Sequence, residues 1–262
     1  MKVTLIAHTK INENFQTDLR RKGIFISDAG GYNERQAVAL TAIRTCYSAN
    51  KPSEIVALEG MKYFGHPASD GQGGSDADRL FRHITGSGHT STLEHITYTF
   101  AVEGVSRSLL AQLTRHRQAS FSVQSQRYVR LGSEDRSGGM RYVTPPSVLK
   151  ANKFVKTNFD AQEVEASAGF IFAQAMQSAQ RTYDELREAG VPPEDARFVL
   201  PNAASCNLVM TLNLRALLEF YGKRQKGKGA QWEISDFADQ LRAEVVKIDP
   251  WLDQYFGGGA VA

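Results

Sequence analysis

Cysteine is almost missing from this chain. Among 262 residues only Cys46 and Cys206 carry a thiol, too few for a disulfide-stapled scaffold or, by themselves, for a cysteine zinc cluster. Both read as small, reduced, buried apolar residues. Long apolar runs are missing as well. None approaches the ~20 residues that cross a bilayer, and the start, Met1 to Thr9, turns polar too soon for a secretory leader. A soluble, cytoplasmic protein is the expectation. Neither sign of charge dominates: 31 Lys and Arg against 28 Asp and Glu leave a net +3, without the basic excess of a chain that tracks nucleic acid. Two common catalytic signatures are also lacking. No G-x-G-x-x-G follows a strand and no G-x-S-x-G elbow occurs, so a Rossmann dinucleotide turn and an esterase nucleophile are excluded.

What is present reads as an ordinary folded chain, 42% hydrophobic and 23% charged, long enough for one large core. Met1 to Ala7 reads as a strand. Glu34 to Tyr47 reads as an amphipathic helix with Ala37, Leu40, Ala42 and Ile43 on its apolar side. Pro67 to Asp78, rich in Gly, Asp and Ser, reads as a mobile loop. Ile96, Tyr98, Phe100 and Val102 alternate on one face of a strand. Ser106 is placed to cap a helix running through Leu109, Leu110 and Leu113. A second flexible loop covers Gly132 to Gly139, and a long helix is expected from about Val148 or Phe159 to Ala189, stopped by Gly190 and Pro192. Leu208 to Leu212 reads as a strand, Leu214 to Arg224 and Gln231 to Ile248 as helices, with Trp232 in the core and a frayed Gly257–Gly259 tail. No repeat or linker interrupts the pattern. The expectation is one α+β domain over residues 1–256, a mostly antiparallel sheet against long helices, and a flexible tail over 257–262.

Charge is concentrated in one place. The thirteen residues from Arg115 to Arg127 hold three arginines, one histidine and three serines. A guanidinium carries fixed donors that match phosphate or carboxylate two at a time, and hydroxyls beside it furnish a phosphate site. One arginine at a helix C-terminus needs no function, because the macrodipole favours cations there. Arg127 and Arg130 continue past that end, and Gln112 lies one turn before Arg115, with an amide suited to an imide edge such as uracil. An anion site and a solvated basic turn both remain open.

Arg197, Arg215 and Arg224 make a second basic set, with Asn213 where strand passes to helix, a place where backbone amides often meet a ligand. Ser91 and Glu94 lie in the stretch from Gly86 to His95, where they either bind a polar cofactor or close their own loop. His83, His89 and His95 are spaced by six, unlike the helical pair of metalloproteases; no metal is expected. From residue types alone, a nucleotide- or RNA-binding module and a histidine-dependent metallohydrolase remain as competing readings.

Arg115-His116-Arg117, seven further residues and then Ser125 resemble the signature of the flavin-dependent thymidylate synthases. Ser106 to Leu113, Ala42 to Ser48, His89 to His95, Leu200 to Ala203, Asn213 to Arg215 and Ala230 to Ile234 resemble other blocks of that family, in order. The resemblance implies a homotetramer with FAD and active sites shared between subunits. It implies conversion of dUMP to dTMP, with a methylene from 5,10-methylenetetrahydrofolate and a hydride from flavin reduced by NADPH. It places Gln112, Arg115, Gln124, Ser125, Arg127, Arg197 and Arg224 on dUMP, with Arg224 stabilising charge as the ring is activated. It places Ser91, Glu94, Arg115, His116, Arg117, Val123, Asn213, Arg215 and Glu219 around FAD. The missing catalytic cysteine agrees with a family that does not attack the ring with a thiol. Three departures stand out: Val123 where many relatives carry Glu or Gln, Glu219 where some place Asn or His, and Gln225 to Gly229, one residue longer than usual.

Overall fold

Seven helices among the described residues start where a polar side chain accepts from the first unpaired amides. Asn12, Asn33, Ser75, Ser106, Ser167, Asn213 and Gln231 all do so. A computed structural model describes residues 1–27, 33–159 and 162–257. In chain order the elements are β1 (Lys2–His8), α1 (Glu13–Arg21), α2 (Glu34–Thr45), α3 (Ile55–Phe64), α4 (Asp76–Gly86), β2 (Thr97–Ser106), α5 (Arg107–Leu113) and β3 (Ala119–Val123). They continue as α6 (Pro146–Lys150), β4 (Phe154–Phe159), β5 (Gln162–Ser167), α7 (Ala168–Glu188), α8 (Pro193–Ala196), β6 (Ser205–Asn213), α9 (Leu214–Arg224) and α10 (Trp232–Ile248). The class is α+β, as the alternation of periods implied. Four strands form one sheet in the order β1-β2-β6-β3, and β4 and β5 form a separate antiparallel hairpin.

The chain divides into two compact units that interleave in sequence. One holds Met1, Val102–Arg115 and Ser122–Leu208; the other holds Lys2–Ala101, His116–Phe121 and Val209–Ala262. The second unit has the larger apolar core. Ile96, Tyr98 and Phe100 point inward together as read, joined by Leu212, Leu217, Phe220, Phe237, Leu241 and Val245. In β6 every second residue from Cys206 to Leu212 is buried, the period-two pattern of a half-buried strand. Helix α10 also anchors β1, where Glu244 Oε2 accepts from Leu5 N at 3.1 Å. A buried polar knot sits in this unit. Asp249 Oδ2 accepts from Arg35 Nε (2.6 Å) and Tyr98 Oη (2.8 Å), and its Oδ1 from Trp251 Nε1 (3.0 Å).

Several expectations need correcting. The long helix does not begin at Val148 or Phe159: α6 is short, the β4–β5 hairpin follows, and α7 starts only at Ala168. Phe154-Val155-Lys156-Thr157 favours extended backbone, and Ser167 supplies the cap that starts the helix late. Asp160 and Ala161, within the expected helix, lie outside the described residues. The Pro67–Asp78 segment is tied rather than loose. Arg82 grips Asp70 with two guanidinium nitrogens at 2.8–3.0 Å, Ser69 Oγ donates to Asp76, and Ser75 caps α4, which already includes Asp76 to Asp78. Helices α1, α3 and α4 have no counterpart in the sequence reading. Trp232 is only half-buried, and Cys46, at the end of α2, is exposed while Cys206 is buried. Of the expected tail, residues 258–262 lie outside the described residues.

Candidate functional site

The Arg115 run changes unit twice. Arg115 ends a stretch of the first unit, His116 to Phe121 belong to the second, and Ser122 to Arg127 return to the first. The expected site residues follow the same division.

In the first unit, α5 is pinned by buried Leu109 and Leu113. That leaves Gln112 half-buried and Arg115 exposed just beyond the helix end. After β3, Gln124 N donates to Asn207 O at 2.8 Å and its side-chain Oε1 accepts from Asn207 Nδ2 at 3.2 Å. Gln124 is thus held by the neighbouring strand. Ser125 Oγ accepts from Arg127 N at 3.2 Å, closing a tight turn. Arg127 reaches across to Glu194, with Nε and Nη2 at 3.0 and 2.9 Å from Oε2. Arg197 Nε donates to the backbone carbonyl of the same Glu194 at 2.9 Å. Arg127 and Arg197, 70 positions apart in sequence, therefore converge on one residue that the sequence did not single out. Its only advance signal was an acidic position one helical turn before Arg197.

In the second unit, the turn Thr90–His95 is closed by Thr92 Oγ1 donating to His89 O at 3.1 Å. His89 itself faces Tyr47, whose Oη lies 2.9 Å from Nδ1. Ser91 borders a cavity of about 560 Å³ lined by Ile11, Phe15, Val38, Thr41 and Cys46 among others. Glu94 Oε1 accepts from Arg215 Nη1 at 2.7 Å, and Arg215 Nε donates to Glu219 Oε1 at 3.0 Å. Three expected cofactor residues thus form one ion-pair network, with Glu94 exposed and Arg215 and Glu219 half-buried, and its two carboxylates raise the Arg215 guanidinium pKa, Glu94 foremost. Asn213 caps α9, its Oδ1 accepting from Ala216 N at 2.8 Å. At the other end of that helix, Arg224 Nε donates to His116 Nε2 at 3.0 Å. The imidazole packs edge-on against Phe220, ring centres 4.7 Å apart, and Phe220 against Phe237 at 5.9 Å. Arg224 and His116, 108 positions apart, are brought together; Phe220, which wedges the imidazole, was not anticipated. Arg117 is exposed and Val123 half-buried.

A family model described as thymidylate synthase complementing protein matches residues 31–251. The chain belongs to this family. The matched span takes in every expected site residue of both units. The flavin-dependent thymidylate synthase of Halobacterium salinarum is 41% identical over 184 residues, covering 68% of this chain and 74% of that protein. The enzyme of the same name from Clostridium tetani is 38% identical over 190 residues, covering 66% and 68%. Among solved structures, a UMP/dUMP methylase, PolB, from Streptomyces cacaoi bound with 5-Br dUMP aligns with a TM-score of 0.66. It covers 99% of this chain and 96% of its own at 23% identity, which shows that the thymidylate synthase complementing chain shares its fold.

Proposed function

We propose that this chain is a flavin-dependent thymidylate synthase that methylates dUMP at C5 to give dTMP. The carbon comes from 5,10-methylenetetrahydrofolate and the reducing equivalents from NADPH by way of FAD. The observation that carries the reading is the family match over residues 31–251, joined by relatives of that name at about 40% identity. Residues 1–256 are taken as the functional unit. Among the described residues no helix is long and apolar enough to cross a membrane; a cytoplasmic setting is part of the proposal.

The residues present fit the flavin. Arg117 would offer an exposed guanidinium to a pyrophosphate, Glu94 and Glu219 would accept from a polyol chain, and the cavity beside Ser91, with Ile11, Phe15, Val38 and Val56 in its wall, would suit a flat ring. His116, Asn213, Arg215, Arg115 and Val123 complete that set. When bound, FAD supplies the hydride that turns the transferred methylene into a methyl group.

The chain's own residues do the rest. Arg115, Ser125 and Arg127 hold the nucleotide phosphate, with Gln112, Gln124 and Arg197 orienting the sugar and base. Arg224 stabilises the negative charge that develops on the pyrimidine as C5 forms its new bond, and such fixed donors act on the transition state more than on the ground state. His116 accepts from Arg224 Nε and so fixes the plane of the guanidinium.

A homotetramer is part of this reading. Helix α7 runs 21 residues yet buries only Met176 and Tyr183, and the hairpin before it leaves Phe154, Val155 and Phe159 exposed. A two-stranded hairpin with uncovered apolar side chains is marginal alone, and a second copy would cover them. The test is anaerobic incubation of flavin-loaded protein with dUMP, methylenetetrahydrofolate and NADPH. The expected product is dTMP; no dTMP from properly flavinated protein overturns the assignment.

A further inference from the structure

Arg127 does not wait as an open fork. Two of its guanidinium nitrogens already lie 3.0 and 2.9 Å from a single carboxylate oxygen of Glu194. Glu194 is carried by α8, whose start is stiffened by Pro192 and Pro193 and whose Ala196 is buried. The carboxylate is therefore presented to Arg127 by a fixed backbone, while its side chain can still rotate away. A carboxylate and a phosphate compete for the same planar pair of donors.

We propose that Glu194 is an internal anion that occupies the Arg127 fork until a phosphate monoester displaces it, and so holds down the affinity for phosphorylated nucleosides while leaving that for unphosphorylated ones unchanged. This rests on the reading of Arg127 as a ligand of the nucleotide phosphate. A phosphate monoester carries nearly two charges at neutral pH and outbids a single carboxylate for the guanidinium. A neutral nucleoside gains nothing from the exchange. Once the phosphate is seated, Glu194 loses its partner and lies near a like charge, so removing the carboxylate favours the phosphate on both counts. The side chains of Arg127 and Glu194 are 53% and 47% exposed. Pairs this wet are screened and weak, so the effect amounts to about two- to fivefold in affinity.

The experiment is calorimetric titration of the full-length, flavin-loaded protein with dUMP and with deoxyuridine, for wild type, Glu194→Gln, Arg127→Ala and the double variant. Glu194→Gln should tighten dUMP by about two- to fivefold, leave deoxyuridine unchanged, and have a smaller effect in the Arg127→Ala background, where only the like-charge repulsion is left to relieve. Unchanged or weaker dUMP binding by Glu194→Gln, with Arg127→Ala still impaired, overturns the competing-anion role and leaves the nucleotide site standing. Unimpaired dUMP binding by Arg127→Ala removes Arg127 from the phosphate site, and the competing-anion role falls with it. A Glu194→Gln gain that appears equally with deoxyuridine also overturns the proposal, because it would not act through the phosphate.

Discussion

Replacing Arg224 with alanine separates chemistry from binding more cleanly than any other change in this chain. The guanidinium is anchored at one corner, Nε to His116 Nε2 at 3.0 Å, and the imidazole is wedged by Phe220 and, behind it, Phe237. Its terminal amino groups are therefore presented from a fixed position, the condition under which a donor stabilises developing charge without reorganising. Loss of one such donor costs about 2.7–4 kcal/mol, a fall of about 10²–10³ in turnover. The fold should survive. Arg224 sits in the last turn of α9, where a cation is worth only about 0.3–1 kcal/mol to the helix. Arg224→Lys keeps the charge but loses the planar fork and should fall between wild type and alanine. His116→Ala should reduce turnover less than Arg224→Ala, and the double variant should be no slower than Arg224→Ala alone, because both changes remove one unit. The assay is single-turnover dTMP formation by protein whose bound flavin has been verified by its absorption spectrum. Turnover within about threefold of wild type would refute the transition-state role. Fully multiplicative losses in the double variant would refute the coupling to His116.

Arg35→Met should destabilise the protein by about 3–5 kcal/mol, because Asp249 is left as a fully buried charge. A melting temperature lower by about 10 °C is expected, with partial recovery in Arg35→Met/Asp249→Leu. The carboxyl of Asp76 is held at about 2, below its usual 3.8, chiefly by hydrogen bonds from Arg79 and further by Ser69, against an opposing burial effect. Because the folded value is the lower one, its contribution is present above pH 3.8 and is lost as pH falls towards 2, on the order of 2 kcal/mol in all. Urea unfolding of wild type and Asp76→Asn should differ by that amount at pH 6 and converge near pH 2.

The elements that were legible in the sequence are those in which period and caps agree. The stretch from Leu214 to Arg224 has a helical period and a capping Asn213, and the helix occupies those residues as read. Strand β2 showed period two across Ile96 to Val102, and all four inward residues are buried. The hairpin of β4 and β5 was lost because a helical pattern downstream was extended backward past Ser167, whose cap marks the true start. The Pro67–Asp78 segment misled for a different reason. Gly71, Gly73 and Gly74 take positive φ and do form a loop, but what holds it is Arg82 on Asp70. Local composition reports that a chain turns; it does not report which later side chain ties the turn down.

Ion-pair partners were the least legible feature, and they change how the arginines are understood. Sequence placed Arg127 in the Arg115 cluster and Arg215 and Arg224 in a second basic set, and named no protein partner for any of them. Arg127 is matched by Glu194 and Arg215 by Glu94, choices made by topology across 67 and 121 positions, while Glu219 joins Arg215 from one turn further along α9. An arginine already paired with carboxylate takes a new anion by exchange, so it is suited to recognising ligands that arrive and leave. Arg224 donates instead to an imidazole nitrogen, which must be unprotonated to accept. That partner fixes the orientation of the guanidinium without cancelling its charge. A full, oriented positive charge is what a ring gaining electron density at the moment of methylation requires, and this is the physical ground for assigning the chemistry to Arg224 and recognition to the paired arginines.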